Sequence, residues 1–282
     1  MNAVMITGVS TGIGLATAKY LKGFGFHIFG SVRKPEDAAK LEKEMGPGFT
    51  PLIFDVRDRR AIDVAAAQVA EIIGGNYLRA LINNSGIAVS GPIQHVSIDR
   101  FREQLEVNVI GLVQVTQAFL PLLGAVKPQT GKPGKIINIS SVGGRLSRPF
   151  YGPYNASKHA VEGLTGSLRR ELLDFGIDAI VIEPGPIVSE MYEKAKYDTD
   201  TYEGTIYHDL YKHKNKFIEF SQKMSIPAEE VARLIHNSIM MDKPKTRQVI
   251  VAKKWMIELM MKLPDRVVDK MMLKQMKGVL EK

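Results

Sequence analysis

The sequence predicts an α/β protein: a doubly wound parallel sheet of about seven strands with helices on both faces, plus a C-terminal helical extension. Short β-rich runs alternate with helical patterns from residue 3 to residue 183. The strand candidates AVMIT, KIINI and DAIVI are continuously apolar, which is expected where helices cover both faces of a sheet. Glycine-rich or polar segments follow several strands, where sheets of this kind bind their ligands.

The individual elements come in regular alternation. Strands are predicted over residues 3–7, 27–32, 50–54, 80–83, 135–140, 178–183 and 248–251. Helices are predicted over residues 12–24, 35–45, 59–73, 99–123 and 154–175. Strands joined through helices run parallel, so the order is that of a Rossmann-like sheet with one ligand crevice at the carboxyl ends of its strands.

We interpret residues 1–252 as one domain and residues 253–282 as a basic amphipathic helical extension. A chain of 282 residues suits a single α/β domain. Residues 188–226 form a polar, tyrosine-rich insertion that we interpret as a substrate lid. The extension is predicted to contain two helices that meet at Pro264, the first residue of the second helix. One apolar stripe is predicted along them, with Met256, Met260, Leu263, Val267 and Met271.

Composition excludes several classes of function. The absence of cysteine excludes disulfides, thiolate metal sites and a cysteine nucleophile. Residues 243–282 hold eleven Lys and Arg against four Asp and Glu, so they carry +7 of the net charge of +8. A nearly neutral remainder argues against a nucleic-acid surface. No signal peptide and no apolar run of ~20 residues is found, so we expect a cytoplasmic protein, with membrane contact confined to its surface.

A glycine-rich segment directly follows the first strand and reads Thr7-Gly8-Val9-Ser10-Thr11-Gly12-Ile13-Gly14. Glycines let the backbone turn tightly and bring N–H groups and a helix N-terminus against a pyrophosphate. The spacing T-G-x-x-x-G-x-G differs from the G-x-G-x-x-G of larger dehydrogenases. Taken alone, these residues are also compatible with a glycine-rich turn that binds nothing.

A tyrosine and a lysine stand one helical turn apart at Tyr154 and Lys158. A phenol has a pKa near ~10, which is too high for an efficient base at neutral pH. A nearby ammonium favours the phenolate, so we expect Lys158 to lower the pKa of Tyr154. Ser141 precedes Tyr154 by thirteen residues and can hydrogen-bond an oxygen on which negative charge develops. Ser140 is the neighbouring alternative for that role.

Taken together and in this order, the motifs resemble the short-chain dehydrogenase/reductase family, nearest to its retinol and hydroxysteroid dehydrogenase branch. The resemblance runs from residue 3 to about residue 187. After the glycine-rich segment it rests on Asn83-Asn84-Ser85-Gly86, Asn108-Val109-Ile110-Gly111, Asn138-Ile139-Ser140-Ser141, Tyr154-Asn155-Ala156-Ser157-Lys158 and Pro184-Gly185-Pro186-Ile187. Ser85 departs from the family's alanine by a small-for-small exchange.

The resemblance implies an NAD(P)(H)-dependent oxidoreductase that interconverts an alcohol and a ketone or aldehyde without a metal. Tyr154 is then the general acid/base, Ser141 stabilises the substrate oxygen and Lys158 holds the ribose. Asn108 is implied to anchor a water on a proton path to Lys158. The implied cofactor-binding residues are Gly8, Ser10, Thr11, Gly12, Ile13, Gly14, Arg33, Asp55, Val56, Asn84, Gly86, Tyr154, Lys158, Pro184, Gly185 and Ile187.

The residues after the second strand favour NADP(H) over NAD(H). No acidic residue stands there before Glu36, and Arg33 can pair with a 2′-phosphate. Two observations keep the alternative open: Thr11 occupies a position where many NADP-preferring relatives carry a basic residue, and Arg33 can equally be a solvated surface residue.

We expect segments 90–96, 142–153 and 188–226 to contact the substrate, and the many aromatic residues of the third segment indicate a fairly large apolar substrate, like a retinoid, steroid or lipid. We expect a homodimer or homotetramer, as is common among relatives. The C-terminal helices can pack against the body or a second subunit, cap the substrate mouth, or lie on an anionic membrane. Two other functions remain open: a catalytically silent dinucleotide-binding regulator, and an epimerase or dehydratase that retains NAD(P).

Overall fold

One sheet of seven parallel strands forms the centre of the protein in the computed structural model, which describes residues 1–188, 202–209, 216, 219 and 222–280. Its strand order is β3-β2-β1-β4-β5-β6-β7, and every neighbouring pair is parallel. The strands are β1 (Ala3–Ile6), β2 (His27–Val32), β3 (Phe49–Ile53), β4 (Ala80–Asn83), β5 (Lys135–Ile139), β6 (Asp178–Pro184) and β7 (Arg247–Ile250). The predicted fold class is confirmed.

Helices cover both faces of this sheet. Those of the main body are α1 (Gly12–Gly23), α2 (Pro35–Met45), α3 (Arg59–Ile73), α4 (Ile98–Leu105), α5 (Gly111–Phe119), α6 (Gly152–Glu171) and α7 (Ala228–Met240). One apolar cluster joins α1, α2 and α7 to one face, and a second joins α3 and α5 to the other. The apolar strand residues are consequently buried on both faces, as their continuous runs predicted.

The strand order reverses between β1 and β4, which are adjacent although two strands separate them in sequence. Connections leaving these two strands diverge to opposite sides, so a crevice opens beyond their carboxyl ends. Thr7 and Asn83, the residues at those ends, are both buried. The fold thereby brings the glycine-rich segment and the Asn-Asn-Ser-Gly segment to the same edge of the sheet.

The structure corrects the prediction of a single long helix over residues 99–123. It is interrupted by a π-helical segment at Glu106–Ile110, and α5 ends at Phe119 before a short 3-10 turn at Pro121–Leu123. Proline has no backbone N–H and its ring crowds the preceding turn, which accounts for the second break. The first break surrounds Asn108, whose buried side chain bonds to a neighbouring loop instead of facing solvent.

The C-terminal extension contains the two expected helices, α8 (Lys254–Met260) and α9 (Asp265–Leu280). Within the predicted stripe, Met256, Met260 and Leu263 are half-buried, whereas Val267 and Met271 are exposed. The less exposed row of α9 consists instead of Val268, which is buried, and Met272 and Met276, which are half-buried, and it is rotated by one residue. Within the described residues, no helix has the length and apolar character needed to cross a bilayer.

Candidate active site

A crevice of about 690 Å³ lies at the carboxyl ends of the strands, with its floor at β1, β4, β5 and β6. It collects predicted site residues from segments far apart in sequence. Those that line it are Gly8, Ser10, Thr11, Gly12, Ile13, Arg33, Asp55, Val56, Asn84, Gly86, Ser141, Tyr154, Lys158, Pro184, Gly185 and Ile187. Of the predicted set, Gly14 and Asn108 do not line it.

The glycine-rich loop is fixed by two hydroxyl groups that the sequence interpretation did not place in the site. The Thr7 Oγ1 atom accepts hydrogen bonds of 2.9 Å from the backbone N–H groups of both Asn84 and Ser85. Ser31 Oγ accepts one of 3.1 Å from the Gly8 N–H. Asn84 Nδ2 in turn donates to the carbonyl oxygens of Thr7 and Gly8. Thr7 belongs to the motif itself, whereas nothing local in the sequence singled out Ser31.

Gly14 lies behind the loop, and its role depends on the absence of a side chain. A Cβ atom at this position would stand 2.1 Å from the Gly8 carbonyl oxygen and 2.5 Å from Asn84 Nδ2. Both distances are far below van der Waals contact, so only glycine lets α1 approach the loop this closely. Gly8 has a positive φ of 70° and forms the turn. The two glycines therefore shape the cradle from opposite sides.

Ser141, Tyr154 and Lys158 converge at one end of the crevice. Ser141 Oγ accepts from the Gly143 N–H at 3.0 Å and donates to the Pro184 carbonyl oxygen at 3.4 Å, and this hydroxyl also acts to lower the pKa of Tyr154. Lys158 Nζ donates to the Ile139 carbonyl oxygen at 2.8 Å and lies 5.7 Å from the centroid of the Tyr154 ring. Ser140 Oγ instead faces the Lys158 carbonyl oxygen, at 3.5 Å. Of the two serines, Ser141 is the one whose hydroxyl acts on the pKa of Tyr154.

The pKa of Tyr154 is shifted in the direction opposite to that expected. Burial raises the pKa of this phenol, and the hydrogen bond with Ser141 opposes the shift. Burial also lowers the pKa of Lys158 to about 8, while the nearby Glu162 carboxylate acts to raise it. The ammonium donates to a backbone carbonyl and lies near the tyrosine ring. For the phenol, desolvation therefore outweighs the opposing effect of Ser141, and for the ammonium it outweighs the attraction of Glu162.

Asn108 belongs to a buried polar scaffold under α6, the helix that carries Tyr154. Its Nδ2 donates to the Ile87 carbonyl oxygen and to Ser157 Oγ, and its Oδ1 accepts from the Ile87 N–H. Gln104 repeats this pattern with Ile87 and Ser157, and its Oε1 accepts from the Val89 N–H. These bonds tie α4 and the π-helical segment to the first turns of α6. The position of Asn108 fits a supporting role, and the water path implied for it stays a prediction.

Arg33 and Asp55 stand together at the far end of the crevice. Arg33 is exposed and follows β2, and Asp55 follows β3. The Asp55 carboxylate accepts from Arg57 Nε at 3.0 Å and from Arg57 Nη2 at 2.8 Å. These bonds lower the pKa of Asp55, with a smaller contribution from Arg33. Arg57 is also 3.6 Å from the Glu103 carboxylate, so Arg33 supplies the cation at this end that Asp55 and Glu103 do not bind directly.

A second cavity of about 560 Å³ adjoins the end of the crevice that holds Tyr154. Arg148 and Asn155 line both cavities. The other walls of the second cavity come mainly from segments expected to contact substrate: Gly91, Pro92, Ile93, Ser147, Pro149, Phe150, Gly152, Ala156, His159 and Tyr207. Tyr207 belongs to the predicted lid, most of which, including Tyr192, Tyr197 and Tyr211, lies outside the described residues. A largely apolar, open cavity therefore lies beside the crevice.

The sequence model of the short chain dehydrogenases matches residues 2–200. The chain belongs to this family. As a short-chain dehydrogenase it is an NAD(P)-dependent oxidoreductase that interconverts alcohols and ketones or aldehydes. Within the described ranges, no group of three or more His, Asp or Glu side chains could hold a metal ion.

Relatives of this short-chain dehydrogenase extend over its whole length. It is 42% identical to the NADPH-dependent 3-dehydrocapnine reductase of Ornithobacterium rhinotracheale, covering 100% of this chain and 99% of the relative. It is 34% identical to mouse retinol dehydrogenase 16, over 70% of this chain and 61% of that one, so the expected branch is confirmed. A single-substitution variant of the actinorhodin polyketide ketoreductase, solved with NADPH, has a TM-score of 0.76 at 25% identity, covering 89% of this chain and 96% of that one.

Proposed function

We propose that this short-chain dehydrogenase is an NADPH-dependent ketone reductase in which Tyr154 is the proton donor. The observation that carries the proposal is the convergence of Ser141, Tyr154 and Lys158 at one end of the crevice. Two hydroxyl groups directed to one point can both bond a single substrate oxygen. An ammonium nearby stabilises negative charge that develops there.

The residues around the crevice fit a dinucleotide. The glycine-rich loop presents backbone N–H groups beside the N-terminus of α1, a geometry suited to a pyrophosphate, and the lack of a Cβ at Gly14 permits it. Asn84, Gly86 and Ile187 line the middle of the crevice, beside the end that holds Tyr154. In our proposal these residues hold the cofactor, with Lys158 bonding the ribose nearest to Tyr154.

Bound NADPH supplies the hydride that reduces the carbonyl carbon. Ser141 bonds the carbonyl oxygen and orients it, so that the oxygen is stabilised as its charge increases. The Tyr154 phenol donates its proton to that oxygen, and its pKa, raised by burial, keeps the phenol protonated at neutral pH. Lys158 then favours the resulting phenolate. The raised pKa of Tyr154 thus suits reduction, where the residue starts as an acid.

The use of NADPH rests on the charge at the adenosine end. Arg33 lines the crevice and has no acidic neighbour on its own strand, so it can pair with a 2′-phosphate. An acid at this place would repel that phosphate and bond a ribose diol instead. The relative that matches the full length of this chain is named for its NADPH dependence, and the ketoreductase neighbour was solved with NADPH.

The second cavity indicates the substrate class. Its walls are mainly apolar and it opens from the end of the crevice that holds Tyr154, so a long apolar arm can extend into it while the ketone lies at Tyr154. The 3-dehydrocapnine reductase is 42% identical over the full chain. We therefore propose a fairly large, lipid-like ketone as substrate, with 3-dehydrocapnine as the first compound to test.

The test is NADPH oxidation by the purified protein, measured with 3-dehydrocapnine, retinal, steroid ketones and short aldehydes. We expect one NADPH consumed for each alcohol formed, with large apolar ketones preferred over short aldehydes. Cofactor binding without turnover of any compound would favour the silent regulator. Product formation without net consumption of NADPH would favour a cofactor-retaining epimerase or dehydratase.

A further inference from the structure

The outer face of α9 combines exposed apolar side chains with exposed cations. Val267 is 42% exposed, Met271 46% and Leu273 51%. Arg266, Lys270 and Lys274 are exposed on the same helix. In α8, Trp255 and Leu259 are also exposed, at 70% and 51%. Exposed large apolar residues are thus concentrated in a segment that is also strongly basic.

The cationic, apolar and acidic residues of α9 are divided between two sides of the helix. Val268, Met272 and Met276 are the less exposed residues of α9 and form its contact row, and successive residues are rotated by about 100°. By that geometry, Lys270 and Lys274 lie nearly opposite the contact row. Val267 and Met271 lie beside Lys274. Arg266 and Leu273 lie beside Lys270. The acidic residues Asp265 and Asp269 fall on the side of the contact row. The outward face therefore carries cations and apolar groups without acids.

We propose that this outward face of α9, with Trp255 and Leu259 of α8, binds the surface of an anionic lipid bilayer. Cations bond lipid headgroups while apolar side chains between them enter the boundary of the acyl chains. An indole such as that of Trp255 is suited to the same interfacial depth. The inference does not depend on the proposed substrate, since none of these residues lines the crevice.

The chemistry of this face favours lipid over the two other partners that a basic surface can bind, a second copy of the chain and a nucleic acid. A symmetric contact between two copies would bring the same three cations, Arg266, Lys270 and Lys274, close to their equivalents, which is repulsive. A nucleic acid would bond the cations but would leave Val267, Met271 and Leu273 without an apolar environment. A bilayer with negative headgroups satisfies both kinds of group at once.

The experiment is co-sedimentation of the full chain with vesicles of pure phosphatidylcholine and with vesicles that contain phosphatidylglycerol. We expect binding to the anionic vesicles only, weakened by high salt. Each lysine near an anionic surface contributes enough to change affinity about 5-fold, so Lys270→Glu with Lys274→Glu should weaken binding by roughly 30-fold or more. Val267→Ser with Met271→Ser should weaken it too, without changing the charge.

The matched control is Lys40→Glu with Lys43→Glu on α2, which changes the net charge equally at two exposed positions elsewhere. The control should bind like the unmodified protein. Thermal unfolding of every variant checks that the fold is intact. This check does not depend on the proposed reductase activity. Equal loss in both charge variants would overturn the proposal, because the effect would then be nonspecific. A change of oligomeric state caused by Lys270→Glu with Lys274→Glu would assign the face to a subunit interface instead.

Discussion

Lys158 and Tyr154 are held in a relationship that differs from a simple ion pair. The lysine Nζ lies 5.7 Å from the centroid of the tyrosine ring and donates to the carbonyl oxygen of Ile139. Burial lowers the pKa of Lys158 to about 8, and burial raises the pKa of Tyr154. The ammonium is positioned by the backbone at the end of β5, so its location does not depend on the protonation state of the phenol.

Replacing Tyr154 with phenylalanine removes the proposed proton donor and leaves the ring. We expect kcat for ketone reduction to fall by about 10²–10⁴-fold, the usual contribution of a positioned acid, while NADPH affinity stays within a few-fold. Single-turnover kinetics and cofactor titration by fluorescence measure the two quantities separately. Turnover close to that of the unmodified protein would remove Tyr154 from the acid role.

Replacing Lys158 with methionine should increase stability while it abolishes turnover. The ordinary pKa of 10.5 is lowered to about 8, which corresponds to a cost of about 3 kcal/mol for burying the ammonium. Loss of the hydrogen bond to Ile139 offsets about 1–2 kcal/mol of the gain. We therefore expect Lys158→Met to raise the free energy of unfolding at pH 7 by about 1–2 kcal/mol.

The pH dependence of this variant provides its own control. Because the folded-state pKa of Lys158 is lowered, the cost is fully present below pH 8 and disappears as the pH rises from about 8 toward 10.5. The advantage of Lys158→Met in urea unfolding should shrink over that range. An advantage that does not change with pH would show that packing, not charge burial, is its cause.

Glu183 is a fully buried carboxyl group at the end of β6, and its replacement by glutamine should stabilise the protein at pH 7.5. Burial raises the pKa of Glu183 to about 6, the Glu162 carboxylate adds to the shift, and Arg145 and Arg247 oppose it. Arg247 Nε lies 2.9 Å from its Oε1. Because the folded-state pKa is raised, the associated stability is present below about pH 4.5 and is lost as the pH rises through 6.

We therefore expect Glu183→Gln to raise the free energy of unfolding at pH 7.5 by about 1–2 kcal/mol, and by less at pH 5. Chemical unfolding at the two pH values measures the difference. Asp174→Asn, on an exposed turn, serves as a carboxylate control for which no such gain is expected. Destabilisation at both pH values would mean that the bond to Arg247 outweighs the cost of burying the charge.

Gly14→Ala should damage cofactor binding although Gly14 does not line the crevice. The added Cβ would meet the Gly8 carbonyl oxygen at 2.1 Å, and overpacking of this kind costs about 1–3 kcal/mol. We expect NADPH affinity to fall by roughly 10-fold or more. Gly23→Ala, at the other end of α1 and with no atom within 4 Å of its added Cβ, should leave affinity unchanged. Equal affinities in both variants would contradict the role given to Gly14.

Arg33→Ala tests the choice of nicotinamide cofactor. A charge-assisted bond to a 2′-phosphate is worth about 1.5–3 kcal/mol, so NADPH affinity should fall by about 10–100-fold while NADH affinity is unchanged. Isothermal titration with each cofactor measures both. Lys34→Ala, at the neighbouring exposed position, is the matched control. A similar loss for NADPH and NADH would mean that Arg33 supports the loop and does not distinguish the cofactors.

The sequence by itself determined the fold class, the order of strands and helices, and the chemical identity of the groups in the crevice. Apolar runs buried on both faces and motifs placed directly after strands are local signals, so Ser141, Tyr154 and Lys158 could be named before any coordinates. Their catalytic roles followed from the resemblance of their motifs to those of the short-chain dehydrogenase/reductase family, while the period of the helix only placed Tyr154 and Lys158 on one face.

Tertiary structure decided what each of those groups experiences. Whether Lys158 lowers the pKa of Tyr154 depends on desolvation by residues distant in sequence, and burial reversed the expected direction. The anchoring role of Ser31 and the orientation of α9 also depend on contacts made across the sheet or against the body. Periodicity places a residue on a helix face, but only packing against a neighbour determines which face is buried and how much water remains around a charge.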